Sequence, residues 1–339
     1  MISFLVNSDD TSRVRFALSP LGEAVSSIRM LASSARHQEH QEWVADVRPR
    51  LSTVNFRPLL ALVPPTGYVP DFLTPPPPVA TELIRPDIGA HLEVVRATST
   101  AELVEEVTWM MTDTGTPAAW RRAAAPTHQI LLDRPELALS VVVDLLARYW
   151  ELALKPHWHQ LRRGLQADVH SRMRVIESAG AGAVLSSLNE SVGWQGDRLS
   201  VRSSYDFEEE MGGRGVVLVP SVFCGPEVLT MLPPLQPMIV YPGGSGINLW
   251  HPVQSRGGGP LAALLGAGRA AVLEALAFPS STSDVAEDVG VTAGAVSQHL
   301  GVLRASGLIT SCRAGRRVVH SLTLMGEDLI RGCRAPSKF

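Results

Sequence analysis

Apolar positions recur at helical spacing through most of the first 190 residues, then change period. Val25, Ile28, Leu31 and Ala32 fall three or four apart and predict an amphipathic helix over 21–35. The N-terminal ISFLV is strand-like, and a second helix is expected over 39–52. From Ala97 to Leu188 the pattern is mainly helical. Thr100 is placed to cap one helix, with Glu102 and Glu105 in its first turns. Pro135 opens a second in the favoured first-turn position, and Pro156 a third that carries Trp158, Leu161, Leu165 and Val169. Between 192 and 250 the period shortens. RLSVRS alternates, whereas GVVLVPSVF and LQPMIVY are β-branched runs punctuated by Pro and Gly. Paired and clustered prolines mark 63–79 as an extended loop, a linker or a lid by one reading and a surface loop by the favoured one, and SRGGGP at 255–260 reads as a linker.

Beyond that linker the pattern becomes a recognisable order: helix, turn, helix, hairpin. A helix is expected over 268–277, with Val272, Leu273 and Leu276 facing inward. Ser283 is the expected cap of the next helix, and Gly290 its left-handed terminator. Thr292 then caps a helix running to 305. At about 100° per residue, Val296, Leu300 and Leu303 share one face. The opposite face carries Gly294, Gln298, Gly301 and Ala305, flanked by Ala295 and Ser297. Its N-terminal half is small and polar, which suits entry into a DNA major groove. The Gln298 amide can pair with adenine N6 and N7, and Ser297 can reach a base or a phosphate. His299 sits at the edge of the buried face, where phosphate contact and helix bracing are both open readings. Two further β-branched runs meet at Arg313-Ala314-Gly315-Arg316-Arg317, a cationic hairpin tip over 312–318. Alone, such a tip is usually only solvated; after a helix-turn-helix it is expected to grip phosphates.

Composition bounds the alternatives. The 339 residues are 45% hydrophobic and 19% charged, which fits a globular chain of two or three domains. No apolar run suggests a membrane span, and the N-terminus lacks a basic signal-peptide region, so a cytoplasmic protein without membrane contact is expected. Three widely spaced cysteines offer neither a disulfide framework nor a CxxC metal site. The net charge is −3, yet the part from Pro260 onward carries eight Arg/Lys against six Asp/Glu. A slightly basic end on a mildly acidic body suits a DNA module attached to something that does not touch DNA.

The stretch VTAGAVSQHLGVLRASGLITSCRAGRRVVHSLT resembles the winged helix of ArsR-type bacterial transcriptional regulators. Val296 to Leu303 matches the family's Val-Ser-x-His-Leu-x-x-Leu run, and Gly307-Leu308 its x-Gly-Leu step. The resemblance covers about 260–332. It implies a winged helix-turn-helix that binds double-stranded operator DNA as a homodimer, pairing helices near 261–265 and 325–331. The family's Cys-x-Cys metal site is missing from SDVAEDVG, and the tail offers Glu327 and Asp328 without a histidine, so metal sensing at either place is not expected. RVRFALSPLGE, GYVPDFLTPPPP and RGVVLVPSVF resemble the domain that precedes such winged helices in actinobacterial regulators.

The expected fold class is α+β and mainly helical, an N-terminal α/β regulatory domain followed by a C-terminal winged helix-turn-helix domain. The expected boundaries are 1–254 (helical over 1–190, β-rich over 191–250), a linker at 255–260, and the DNA-binding domain at 261–333. The DNA-contacting set is Ser283, Thr292, Gly294, Ala295, Ser297, Gln298, His299, Arg304, Arg313, Arg316 and Arg317. Six of the larger aromatics fall between 100 and 200. Core packing is their default reading; the sharper one is a small-molecule effector pocket involving Trp109, Trp150 and Trp158. No cofactor, metal or catalytic residue is expected: His157 and His159 point apart on a helix, the Gly-rich turns lack a phosphate-loop ending, and Glu208 to Glu210 read as a solvated face. A repressor is the expected function. The alternatives are an enzyme or a protein-interaction protein with an accessory winged helix.

Overall fold

A computed structural model describes residues 1–33, 38–77, 86–226, 228–243, 259–276, 279–314 and 317–334. The chain divides into two compact units, Met1–Trp250 and His251–Phe339.

The N-terminal unit is built on two four-stranded sheets. In chain order it contains β1 (Ile2–Leu5), α1 (Ser8–Ser12), β2 (Arg15–Phe16), α2 (Pro20–Ala32), α3 (Gln41–Leu51) and α4 (Arg57–Leu60). Then come α5 (Ile88–Arg96), α6 (Thr100–Thr112), α7 (Ala118–Asp133), α8 (Pro135–Tyr149), α9 (Trp158–Ala179) and α10 (Ala181–Ser186). The remaining strands are β3 (Val192–Gln195), β4 (Arg198–Val201), β5 (Phe207–Glu210), β6 (Val217–Ser221), β7 (Leu229–Met231) and β8 (Met238–Pro242).

The first sheet has the order β3-β4-β1-β5, and the second β2-β6-β8-β7. β1 runs antiparallel to β4, with Ile2 opposite Val201, and parallel to β5, with Ile2 opposite Phe207. β6 lies between β2 and β8 and is parallel to both. The expected split into a helical 1–190 and a β-rich 191–250 therefore needs correction, because both sheets take a strand from the first sixteen residues. Unpaired strand edges leave backbone donors and acceptors unsatisfied, and here segments about 200 residues apart satisfy one another. β6 is buried along its whole length, as expected for a central parallel strand covered on both faces.

α2 follows β2 directly. Ser19 caps it, accepting from the Gly22 amide at 2.9 Å, and Pro20 takes the first helical position. It is buried almost all round, and its Glu23 carboxyl group, whose pKa burial pushes up to about 8, accepts from the Val222 amide at 3.0 Å, tying the helix to the end of β6. Ser99, not Thr100, caps α6: Ser99 and Glu102 form a reciprocal capping box. α8 leads without a break into a π-helical turn at Trp150–Leu154 and a 3₁₀ turn at Lys155–His157 before α9. The described part of the proline-rich stretch, 63–77, contains a 3₁₀ turn at Asp71–Leu73 and is not a surface loop: Val63, Phe72 and Leu73 are part of the core. Its backbone is held from α6, where Glu106 accepts from the Phe72 amide and Asp113, just after the helix, accepts from the Tyr68 amide.

The C-terminal unit contains α11 (Pro260–Leu265), α12 (Ala267–Ala275), β9 (Ser280–Ser281), α13 (Thr282–Val289), α14 (Ala293–Ala305), β10 (Ile309–Ala314), β11 (Arg317–Leu322) and α15 (Leu324–Arg334). Its strands form one sheet in the order β10-β11-β9. Its own core joins Leu261, Leu273, Val285, Val296, Leu300, Leu303, Ile309 and Ile330, so each of its helices and the hairpin contribute.

Candidate nucleic-acid interface

α13 and α14 form the helix-turn-helix. Ser281 caps α13, accepting from the Asp284 amide while Asp284 accepts from the Ser281 amide at 3.2 Å. The cap expected at Ser283 is thus two residues too late: Ser283 lies exposed in the first turn. The capping box with Asp284 decides the start, because only a residue three before the acid completes it. Gly290 ends α13 in the left-handed region (φ 71°), and its amide returns to the Ala286 carbonyl. Thr292 caps α14, accepting from the Ala295 amide at 3.3 Å.

α14 buries the side chains its periodicity selects. Val296, Leu300 and Leu303 are at most 4% exposed. Gly294, Ser297, Gln298 and Ala305 are exposed, and Ala295 and Gly301 half-buried. His299 is half-buried, and its position is informative: a β-carbon on Gly268 would stand 2.8 Å from its Nε2. The ring therefore lies over the start of α12, where a glycine leaves it room. Arg304 is exposed in the last turn of α14, the end that favours a cation. Gly307 (φ 70°) then turns the chain, and the Leu308 amide reaches back to the Leu303 carbonyl.

The hairpin pairs β10 with β11 from Ile309 opposite Leu322 to Ala314 opposite Arg317. Arg313 is exposed on β10. Arg316 lies outside the described residues, as does the side chain of Arg317, whose backbone begins β11. Sequence reasoning misses β9, the two-residue third strand that places Ser281 opposite Val319 and Ser280 opposite His320. Two serines carry no strand pattern, so nothing in their spacing marks them. It misses His320 as well. This residue is buried, with Nδ1 2.8 Å from Ser311 Oγ and Nε2 3.1 Å from Thr282 Oγ1. Burial first, and then the charge of Arg304, hold its pKa below the ordinary 6.5.

The three tryptophans expected to share a pocket are not brought together. Trp150 and Trp158 pack edge to face, with ring centroids 5.0 Å apart, Trp150 in the N-terminal core and the half-buried Trp158 against it. Trp109 instead stacks on Tyr68 at 5.6 Å and is 57% exposed. Trp109, Tyr68, Asp71, Arg29, His40 and Tyr205 line a cleft of about 1930 Å³ within the N-terminal unit. Near it, burial raises the pKa of Asp71 to about 6. Burial and then the neighbouring Asp71 charge raise that of Glu106 to about 7, against the hydrogen bond from the Phe72 amide. Among the described residues no group of three or more His, Cys, Asp and Glu side chains is arranged to hold a metal ion, and no helix is long and apolar enough to cross a membrane.

No curated protein and no solved structure matches the chain. Residues 267–311, from the start of α12 into β10, match the family model of bacterial regulatory proteins of the arsR family. The segment that matches is the one whose geometry has just been described, and the chain carries an ArsR-family winged helix-turn-helix domain at its C-terminal end, that of a DNA-binding transcription regulator.

Proposed function

We propose that the chain is a repressor that reads operator DNA with α14 and grips the neighbouring backbone with the β10–β11 wing. The observation that carries this reading is the exposed face of α14: small residues, with Ser297 and Gln298 as its polar groups, over a fully buried opposite face. Gln298 is the base reader and Ser297 its neighbour on base or phosphate, with Gly294 and Ala295 allowing close approach. Thr292, Ser283 and Arg304 flank the groove on the phosphates, and Arg313, Arg316 and Arg317 supply the wing's charge. His299 braces α12 instead of contacting DNA, as its place over Gly268 favours.

The active species is a homodimer, since one short recognition helix reads too few base pairs. α11 packs against α15 in the C-terminal unit, and Leu264, Leu324 and Met325 are exposed on these two helices. Exposed apolar residues of this size suit a partner subunit. The effector of the repressor is a small molecule taken up by the N-terminal cleft beside Trp109 and Tyr68, with Trp150 and Trp158 left to the core.

Selection of duplexes from a randomised pool by the full-length chain tests the reading. A recovered, two-fold symmetric sequence whose placement upstream of a reporter lowers expression is the expected result. Recovery of no preferred sequence would remove the DNA-reading role, and activation of the reporter would remove the repressor role.

A further inference from the structure

Beyond the two residue pairs it makes with β9, the wing is a two-stranded ribbon, and a two-stranded hairpin is only marginally stable by itself. We infer that His320 is the positioning residue that fixes it, joining the wing to the first helix of the helix-turn-helix through a hydroxyl on each side. This inference rests on the wing being a DNA contact, as proposed above.

The geometry is specific. His320 lies on β11, opposite Ser311 on β10 in the hairpin register and opposite Ser280 on β9. Its two ring nitrogens face hydroxyls that belong to different elements. Nδ1 meets Ser311 Oγ within the wing at 2.8 Å, and Nε2 meets Thr282 Oγ1, at the first residue of α13, at 3.1 Å. His320 is 6% exposed, so neither bond is readily exchanged for water. Arg304 of α14 is the charged group that acts on it, while Asp284 of α13 is turned to the Ser281 hydroxyl at 2.7 Å. A neutral imidazole donates at one nitrogen and accepts at the other, and both neighbours are hydroxyls able to play either part. One side chain thus spans the wing and the start of α13, beside a cation of the recognition helix. β9 adds only two residue pairs to the same junction. Apolar packing of Leu308 and Ile309 on the domain core and these two ladder pairs hold the wing base, and the bridging ring is the buried polar tie that sets its angle to α13.

The test measures DNA affinity of the full-length chain against salt, on the duplex recovered from the randomised pool, with the active fraction set by stoichiometric titration. His320→Leu keeps the bulk and removes both bonds. Thr282→Val keeps the wing's own Ser311 bond and cuts only the link to α13. Arg313→Ala reports whether the wing touches phosphate at all. The expected result is that all three variants flatten the dependence of log K on log salt by about one phosphate contact, roughly 0.9 in slope, with base preference unchanged. Affinity at fixed salt should fall on the order of tenfold for His320→Leu. A merely structural role would lower the active fraction and leave the slope of the remaining active protein as it was; that outcome in Thr282→Val overturns the inference even if His320→Leu fails to fold. An unchanged slope in Arg313→Ala overturns the wing contact and the inference together, whereas a flattened slope there with normal slopes in the other two overturns the bridge alone.

Discussion

The two units reach their cores by opposite routes. In the C-terminal unit every core contact joins residues within a segment of about eighty, and helix follows helix before the hairpin closes the sheet. In the N-terminal unit β1 pairs with strands about 200 residues away, and β2 pairs with β6 across a similar distance. Local contacts close short loops at small entropic cost, whereas distant strand pairing must order much chain before any contact forms. The surfaces proposed for function differ in the same sense. The proposed DNA-facing surface is one exposed helix face and a hairpin, set by a few consecutive turns. The N-terminal cleft is lined from α2, the proline-rich stretch, α6 and the loop between β4 and β5, and exists only once those distant segments meet.

The contrast predicts where damage should be confined. Phe4 is 1% exposed in the middle of β1, and Phe4→Ala should cost about 3–5 kcal/mol, within the range for large-to-small core changes. Segment-resolved hydrogen exchange should show lost protection across 1–242 and none across 259–334. Leu300→Ala should do the reverse at about 2–5 kcal/mol. Loss of protection in both units from either change would break the comparison. Next in size, Gln298→Ala should lose roughly 1–3 kcal/mol of discrimination at one base pair, read by competition between single-base operator variants. Equal losses at all positions would assign it to backbone contact instead. Ser281→Ala should destabilise the C-terminal unit by about 1 kcal/mol, and Ser283→Ala should have little effect, by thermal unfolding.

The smallest effect sharpens the contrast through pH. Glu106 has a folded pKa raised to about 7 from 4.5, so between those values the folded state holds the proton more tightly and this group's contribution falls as pH rises. His320 has a folded pKa below 6.5, so its contribution is full above that value and is lost as pH falls through the folded pKa. Glu106→Gln, which keeps an acceptor for the Phe72 amide, should therefore gain on the parent as pH rises from about 4.5 to about 7 and level off above that, in the N-terminal unit alone. A pH-independent difference between the two proteins would show that Glu106 is not the group responsible.

Legibility follows the same division. The buried face of α14 comes from spacing alone, because Val296, Leu300 and Leu303 need only a helical backbone to line up. The Gly290 turn and the Thr292 cap are equally local. Taking Ser283 for the cap in place of Ser281 is an error of the same local kind, since Asp284 completes the box only with the earlier serine. β9 and His320 are invisible for another reason: two serines and one histidine acquire a role only from the register that sets them beside Val319, Ser311 and Thr282. Trp109, Trp150 and Trp158 are near in sequence, yet helix faces set two in or against the core and one at the edge of the cleft.

The sequence by itself determined the order of elements in the C-terminal unit, the buried and exposed faces of its second helix-turn-helix helix and the cationic character of its wing. These follow from side-chain periodicity and from capping chemistry within one or two turns. Tertiary structure decided how Met1 to Phe16 complete two sheets, which aromatics line a cleft, and which hydroxyls the buried His320 joins. Strand partners and buried polar pairs are chosen by hydrogen-bond satisfaction across the fold, and that information is carried by no single stretch of chain.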